Sequence, residues 1–148
     1  ISFLLVGDGA VKNILEEEAT SQNLDNIVFT GLIDKKKVPE VLSFTDVALI
    51  HLKENKLFRT VIPSKLYETA GMGLPIINGV EGSTSEFIER SGCGLSIKPG
   101  DAEDLYQALL DLKINPKKAR DMGESGHNYV TKYYDRAKLS EKYLRELL

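Results

Sequence analysis

In the stretch VIPSKLYETAGMGLPII, residues 61–77, a serine and a glutamate stand four positions apart just after a proline. Proline suits the first position of a helix, because its missing N–H needs no partner there and its φ is already set. A helix opening at Pro63 leaves the N–H groups of Ser64, Lys65 and Leu66 unbonded, aligned with the positive end of the helix dipole. Such an end is an anion site, and phosphate is its usual occupant. At about 100° per residue Ser64 and Glu68 share one stripe and lie ~6 Å apart along the axis, while Leu66 and Ala70 face elsewhere. A nucleoside diphosphate spans such a distance between a phosphate and its ribose diol, and a carboxylate accepts from both diol hydroxyls at once. The plain alternative makes Glu68 a solvated helix residue or a lysine's partner. The proline, the serine, the glycine-rich helix end and the long preceding connection favour the ligand.

That connection, LKENKLFRTVI at 52–62, carries Lys53, Glu54, Lys56 and Arg59. With Lys65, its cations are candidates to neutralise a diphosphate, or they are simply solvated. His51 ends an apolar run beside it and is a weaker candidate to line the same cleft. His127 sits in a polar stretch far along the chain and reads as a surface residue. The run DKKKV at 34–38 reads as a solvated helix start. VGDGAV at 6–11 resembles the opening of a dinucleotide fingerprint, but Lys12 stands where the third glycine belongs, so a plain tight turn is favoured.

The elements that must hold these residues follow from apolar runs alternating with amphipathic stretches. Strands are expected at 2–7, 26–31, 46–51, 74–79 and 94–98, and helices at 10–22, 35–44, 63–73, 84–91, 101–113, 116–131 and 135–148. The strand runs are continuous rather than alternating, as in strands covered on both faces. Strand and helix in alternation predict an α/β fold, a parallel Rossmann-like sheet with helices on both faces. Ligands of such sheets bind outside the carboxyl ends of the strands, where the 52–62 connection lies. Asp101 is the expected N-cap of its helix, with Asp104 completing a capping-box-like start.

Bulk properties set the outer limits. A chain of 148 residues fits one domain, 1–148, and buries roughly two-thirds of its unfolded surface. With 42% hydrophobic and 28% charged residues the composition is that of a soluble globular protein. A net charge of −3 argues against nucleic acid as a partner. One cysteine, Cys93, allows no internal disulfide, and it reads as a small apolar residue near a turn. Two scattered histidines and that cysteine give no metal-ligand spacing, and no cofactor motif is complete. No apolar run reaches the ~20 residues of a membrane span. The chain opens inside a strand without an initiator Met, as a fragment of a longer protein would.

Several segments together resemble a known family. FLLVGDG with NIVFTG, then PSKLYETAGMGLPIING, then SEFIERSGCGLSIKPGD, and finally ARDMGESGHNYVTKYYD follow the order and spacing of the C-terminal, nucleotide-sugar-binding domain of GT-B glycosyltransferases, retaining family 4 or glycosyl transferase group 1. The resemblance covers essentially the whole chain. It implies transfer of a sugar from a nucleotide diphosphate, UDP favoured, to a glycan or lipid-linked acceptor, with retention and without bound metal. In that family a Glu-x7-Glu motif marks the site, its second carboxylate on the ribose diol and its first near the sugar. Glu68 takes the second position, but Thr60 stands at the first, as in a subset of bacterial relatives with PSKLYE; Glu54 is a candidate replacement. Ile33, by its backbone, and Asp34 beside it would bound the base pocket. The family's phosphate-binding basic pair and its acceptor domain lie upstream of Ile1, so this piece alone is expected to bind without turnover. The resemblance also implies a cytoplasmic enzyme and leaves open peripheral association of the full-length protein with the inner face of the membrane.

Two other readings compete. A nucleotide-sugar epimerase of the same architecture would use the same helix end and carboxylate but need no acceptor. A non-catalytic nucleotide-binding or assembly module would account for Thr60. A nicotinamide-binding domain fits less well, since no acidic residue closes NIVFTG.

Overall fold

The computed structural model describes residues 1–53 and 55–147, with Lys56 described by its backbone alone. The chain divides into two compact units, Ile1–Val41 and Leu42–Leu148.

In the first unit β1 (Phe3–Val6), α1 (Lys12–Ser21) and β2 (Ile27–Gly31) form a crossover unit. The strands are parallel, Phe3 opposite Ile27 and Leu5 opposite Phe29. The VGDG stretch is a tight turn, as expected. Gly7 adopts φ +131°, which only glycine takes without strain, and the Asp8 carboxylate accepts from the Gly9 N–H at 2.8 Å. One expectation fails here: Leu4, Leu5 and Val6 are 40–47% exposed rather than covered on both faces. Within this unit one helix accompanies two strands, too little to cover both sides. The helix expected at 35–44 is a 3-10 turn, Lys35–Lys37, leading into α2 (Val38–Ser43), across which the unit boundary falls. The turn forms because the Asp34 carboxylate caps it, accepting from the Lys36 N–H at 2.9 Å. Its three lysines are exposed, as read from the sequence.

The second unit holds a parallel sheet in the order β3 (Ala48–His51), β4 (Ile76–Gly79) and β5 (Gly94–Ser96). Its helices are α3 (Ser64–Gly71), α4 (Ser83–Ser91), α5 (Ala102–Ile114), α6 (Pro116–Tyr133) and α7 (Arg136–Leu147). All four residues of β4 are buried, and its alternate side chains serve two cores. Ile76 packs with Leu66, Ala70, Phe87, Ile88 and Cys93, while Ile77 packs with Ile97, Ala108 and Leu112. Ile76 and Ile77 point to opposite faces, one into each core, as a sheet covered on both faces requires. Among the described residues no helix is long and apolar enough to cross a membrane.

Helix ends follow local chemistry. α3 stops in a Schellman motif: Gly73, at φ +73°, donates to the Ala70 carbonyl and Leu74 donates to that of Thr69. Asp101 caps α5, accepting from the N–H groups of Glu103 and Asp104 at 3.1 Å each. Asp104 does not complete a capping box. Its carboxylate reaches back to the Lys98 N–H at 2.7 Å and ties the end of β5 to the helix it precedes.

α6 approaches α3 closely because it offers two glycines. A Cβ on Gly123 would stand 2.0 Å from the Gly73 carbonyl oxygen, and one on Gly126 would stand 2.7 Å from Cβ of Cys93. Next to them His127 hydrogen-bonds the Gly71 carbonyl through Nδ1 at 2.7 Å. That histidine is exposed, as expected, but it joins α6 to the end of α3. Cys93 is fully buried, and desolvation pushes its thiol up from the ordinary range. A disulfide reagent should therefore label Cys93 only under denaturing conditions; rapid labelling of the folded chain would contradict this burial.

Gly126→Ala should destabilise by about 1–3 kcal/mol in urea melts despite alanine's better helix propensity, because the new methyl would press on the Cys93 side chain. Gly71→Ala, where a Cβ would meet nothing within 4 Å, should be neutral or stabilising by up to about 1 kcal/mol. Equal behaviour of the two variants would contradict this packing.

Candidate functional site

α3 separates its residues by face. Leu66 and Ala70 have no solvent exposure and Thr69 is 4% exposed, whereas Ser64, Lys65 and Glu68 face solvent. Tyr67, directly before Glu68, turns into an aromatic cluster, its ring centroid 5.4 Å from Phe87 and 4.8 Å from Tyr134. Burial pushes the phenols of Tyr67 and Tyr134 up, as fits packing residues. Among the described residues no group bonds the side chains of Ser64, Lys65 or Glu68. An unpaired carboxylate and an unpaired ammonium share the rim of an otherwise buried helix.

The helix start differs from expectation by one position. Pro63 is extended, with φ −61° and ψ 134°, and serves as N-cap rather than first helical residue. Its carbonyl accepts from the Leu66 N–H at 2.9 Å. Leu66 is therefore no free donor, and its side chain belongs to the core. The N–H groups of Ser64 and Lys65 remain without a partner among the described residues. Pro63 takes the N-cap because its ψ is extended, which shifts the helix one residue on and closes the first turn with a 3-10-type bond.

The described part of the connection before α3 holds one element of its own. Residues Lys56–Thr60 form a 3-10 helix capped by Asn55, whose side chain accepts from the Leu57 N–H at 2.9 Å. Phe58 and Ile62 pack on the core. A single 3-10 turn is too short to set up a readable apolar period. Arg59 pairs with Glu81, so its charge is shared with a carboxylate the sequence did not single out. The Thr60 hydroxyl donates to the Leu57 carbonyl at 3.1 Å. Lys53 is exposed with no partner among the described residues. Glu54 lies outside the described residues, as does the side chain of Lys56.

Behind this edge, Asn78 at the end of β4 is fully buried and bonds around Val80. Its Nδ2 donates to the Val80 carbonyl at 2.8 Å, and its Oδ1 accepts from the Val80 N–H at 3.2 Å. Ser85 Oγ donates to the same carbonyl at 2.7 Å. His51 ends β3 and accepts from the Gly100 N–H at 3.0 Å, a structural bond across the strand ends. Asn78 and Glu81 carried no sequence signal beyond their place after an apolar run.

Leu52, Lys53, Phe58, Arg59, Glu81 and Pro99 surround a cavity of only about 10 Å³, so a ligand here would sit on the rim. A larger open depression of about 570 Å³ lies elsewhere, between the end of α5 and the start of α6 near Ile114, Lys118 and Met122. It contains none of the expected site residues. Asp111 and Lys118 are joined there at 2.6 Å, which holds the Asp111 carboxyl below its usual range. Among the described residues no group of His, Cys, Asp and Glu is arranged to hold a metal.

Ile33 and Asp34 belong to the first unit. Ile33 is half-buried between β2 and the 3-10 turn, and the Asp34 carboxylate is engaged in capping that turn.

Comparison with known proteins agrees with this architecture. N-acetyl-α-D-glucosaminyl L-malate synthase of Bacillus anthracis is 28% identical over 142 residues, which is 95% of this chain and 35% of that protein. The GDP-mannose-dependent α-(1-6)-phosphatidylinositol monomannoside mannosyltransferase of Mycobacterium tuberculosis is 23% identical over 88% of this chain and 34% of its own length. HepE of Anabaena, solved in complex with UDP-glucose, superposes with a TM-score of 0.83 at 16% identity, over 99% of this chain and 40% of that one. The chain thus spans about a third of the length of these curated relatives. The model of the family described as "Glycosyl transferases group 1" matches residues 1–129. The chain belongs to the group 1 glycosyl transferases and has the fold of the C-terminal domain of a GT-B enzyme.

Proposed function

We propose that this chain is the donor-binding part of a retaining glycosyltransferase that moves a hexose-type sugar from a nucleotide diphosphate, UDP favoured, to a glycan or lipid-linked acceptor. The observation that carries the reading is the rim of α3: Ser64, Lys65 and Glu68 are exposed and unpaired on a helix whose other face is wholly buried. Family membership supports the reaction class. The UDP-glucose bound by HepE supports UDP, while the mannosyltransferase relative uses GDP-mannose. Whole-protein activity and acceptor are part of the proposal, as is a preceding acceptor domain.

Each residue has a role in this reading. The diphosphate rests on the free N–H groups of Ser64 and Lys65, with the Ser64 hydroxyl and the Lys65 and Lys53 ammonium groups around it. Fixed donors at a helix start stabilise the charge that grows on a departing diphosphate. Glu68 accepts from the two ribose hydroxyls. Arg59 and Thr60, already bonded, are secondary contacts, and Leu66 contributes only packing. Ile33 and Asp34, in the first unit, are assigned to the base by the family resemblance alone. One feature favours a second reading, a non-catalytic nucleotide-binding module: Thr60 stands where the family's first glutamate would be.

Calorimetric titration of the chain with UDP, GDP and ADP should give weak binding, with UDP preferred and no dependence on magnesium. No heat with any of them at millimolar ligand, with the protein folded, would sink the proposal.

Glu68→Gln should lower nucleotide affinity about tenfold or more, since a hydrogen bond to a charged group contributes roughly 1.5–3 kcal/mol. The melting temperature should hardly move, because the exposed carboxylate makes no hydrogen bond or ion pair among the described residues. A 2′,3′-dideoxy nucleotide should bind the parent weakly and lose little more on the substitution. Equal losses for the two ligands would rule out diol recognition. The non-catalytic reading predicts binding with no transfer from the full-length protein and acceptor.

A further inference from the structure

The 3-10 segment before α3 is clamped to the start of α4 by three contacts. The Arg59 guanidinium pairs with the Glu81 carboxylate through Oε2 at 2.5 Å. Gly82, at φ +77°, lies so close beneath Arg59 that a Cβ there would stand 2.1 Å from the Arg59 carbonyl oxygen. Thr84 Oγ1 donates to the Val61 carbonyl at 3.1 Å. Thr60 lies between the two residues that make these contacts. The position where the family pattern has its first glutamate is thus fixed against residues 81–84, and Glu81 is the carboxylate on that edge.

Glu81 stands on a built loop. Val80, just before it, is held at both N–H and carbonyl by the fully buried Asn78, and at the carbonyl by Ser85 as well. Gly82, just after it, has a backbone that an L side chain would strain and no room for one. Both side chains of the pair are about half exposed, 53% for Arg59 and 47% for Glu81. An ion pair in that setting adds little to stability, so folding alone gives small reason for this construction. The pair is made through Oε2, and a carboxylate keeps further acceptor sites when one is engaged.

We propose that Glu81 is the sugar-contacting carboxylate of this chain, accepting hydrogen bonds from hydroxyls of the donor sugar in place of the glutamate absent at Thr60, with Arg59 as its positioning residue. This rests on the reading that a nucleotide-sugar binds at the start of α3. A carboxylate fixed through one oxygen offers the other to a hydroxyl, and such charge-assisted bonds are short and strong. Arg59 biases the Glu81 carboxylate toward the rotamer of the pair.

The test titrates the folded chain with UDP, GDP, UDP-glucose, UDP-N-acetylglucosamine and GDP-mannose. In the parent at least one nucleotide-sugar should bind more tightly than its own nucleotide. Glu81→Gln should weaken that nucleotide-sugar about tenfold while leaving the nucleotide and the melting temperature unchanged. Arg59→Gln should weaken the nucleotide-sugar more than its nucleotide, and Arg59→Lys should recover most of that difference. A purely structural pair would instead lower the melting temperature and weaken nucleotide and nucleotide-sugar alike, which would overturn the proposal. So would a parent for which the sugar adds no affinity, or a Glu81→Gln variant with an unaltered preference for the sugar-bearing ligand. Absence of nucleotide binding would remove this inference together with the donor-site reading. Nucleotide binding that responds to Glu68→Gln while the sugar preference ignores Glu81→Gln would remove this inference alone.

Discussion

Burial of one face of α3 is the constraint on which the rest of the site depends. Leu66 and Ala70 sit against Ile76 of β4 with no access to solvent, and α6 closes over them at glycine distance. A fully buried leucine contributes roughly 1.5–3 kcal/mol, and a short helix owes most of its stability to such packing. Once Leu66, Thr69 and Ala70 are committed to the interior, the 3.6-residue period leaves Ser64, Lys65 and Glu68 at the surface. The same packing aims the helix start at the carboxyl ends of the strands. Core packing and ligand chemistry are two faces of one short helix.

Rigidity around that helix is supplied from both directions along the chain. Its end is closed by the Schellman turn and by the His127 bond to Gly71. Its approach is held by the segment 58–62, whose Phe58 and Ile62 enter the core and whose Arg59 and Val61 carbonyls lie against Gly82 and Thr84. An anion site made of backbone N–H groups works only if the groups stay put, because their value lies in needing no reorganisation when charge develops. Short-range caps and long-range clamps together meet that requirement.

Much of this was legible in the sequence where the signal is local or periodic. The five strands and the larger helices follow from continuous apolar runs and amphipathic stretches, and the exposed stripe of α3 follows from helix geometry alone. What stayed hidden depends on partners far along the chain or on a single turn. Pro63 looks the same at N-cap as at the first helical position; its ψ distinguishes them, and with it the fate of the Leu66 N–H. Asp104 fits a capping box by spacing, yet it bonds Lys98, which a different loop path brings near. Glu81 and Thr84 have their partners far back along the chain, at Arg59 and Val61, and Asn78 bonds the Val80 backbone in a local turn that no motif marks. Gly123 and Gly126 read as poor helix residues until the backbone of Gly73 and the side chain of Cys93 arrive against them. For the candidate site itself, the sequence supplied the residue types on α3, and the structure supplied which of their groups are free.

The central claim is that the start of α3 holds a nucleotide diphosphate. The most direct measurement is a backbone amide NMR titration of the chain with UDP. The account predicts that the largest shifts fall on the Ser64 and Lys65 amides, whose N–H groups are unbonded in the free structure. Shifts that leave those two amides in place and gather at Ile114 and Lys118, around the open depression between α5 and α6, would contradict it.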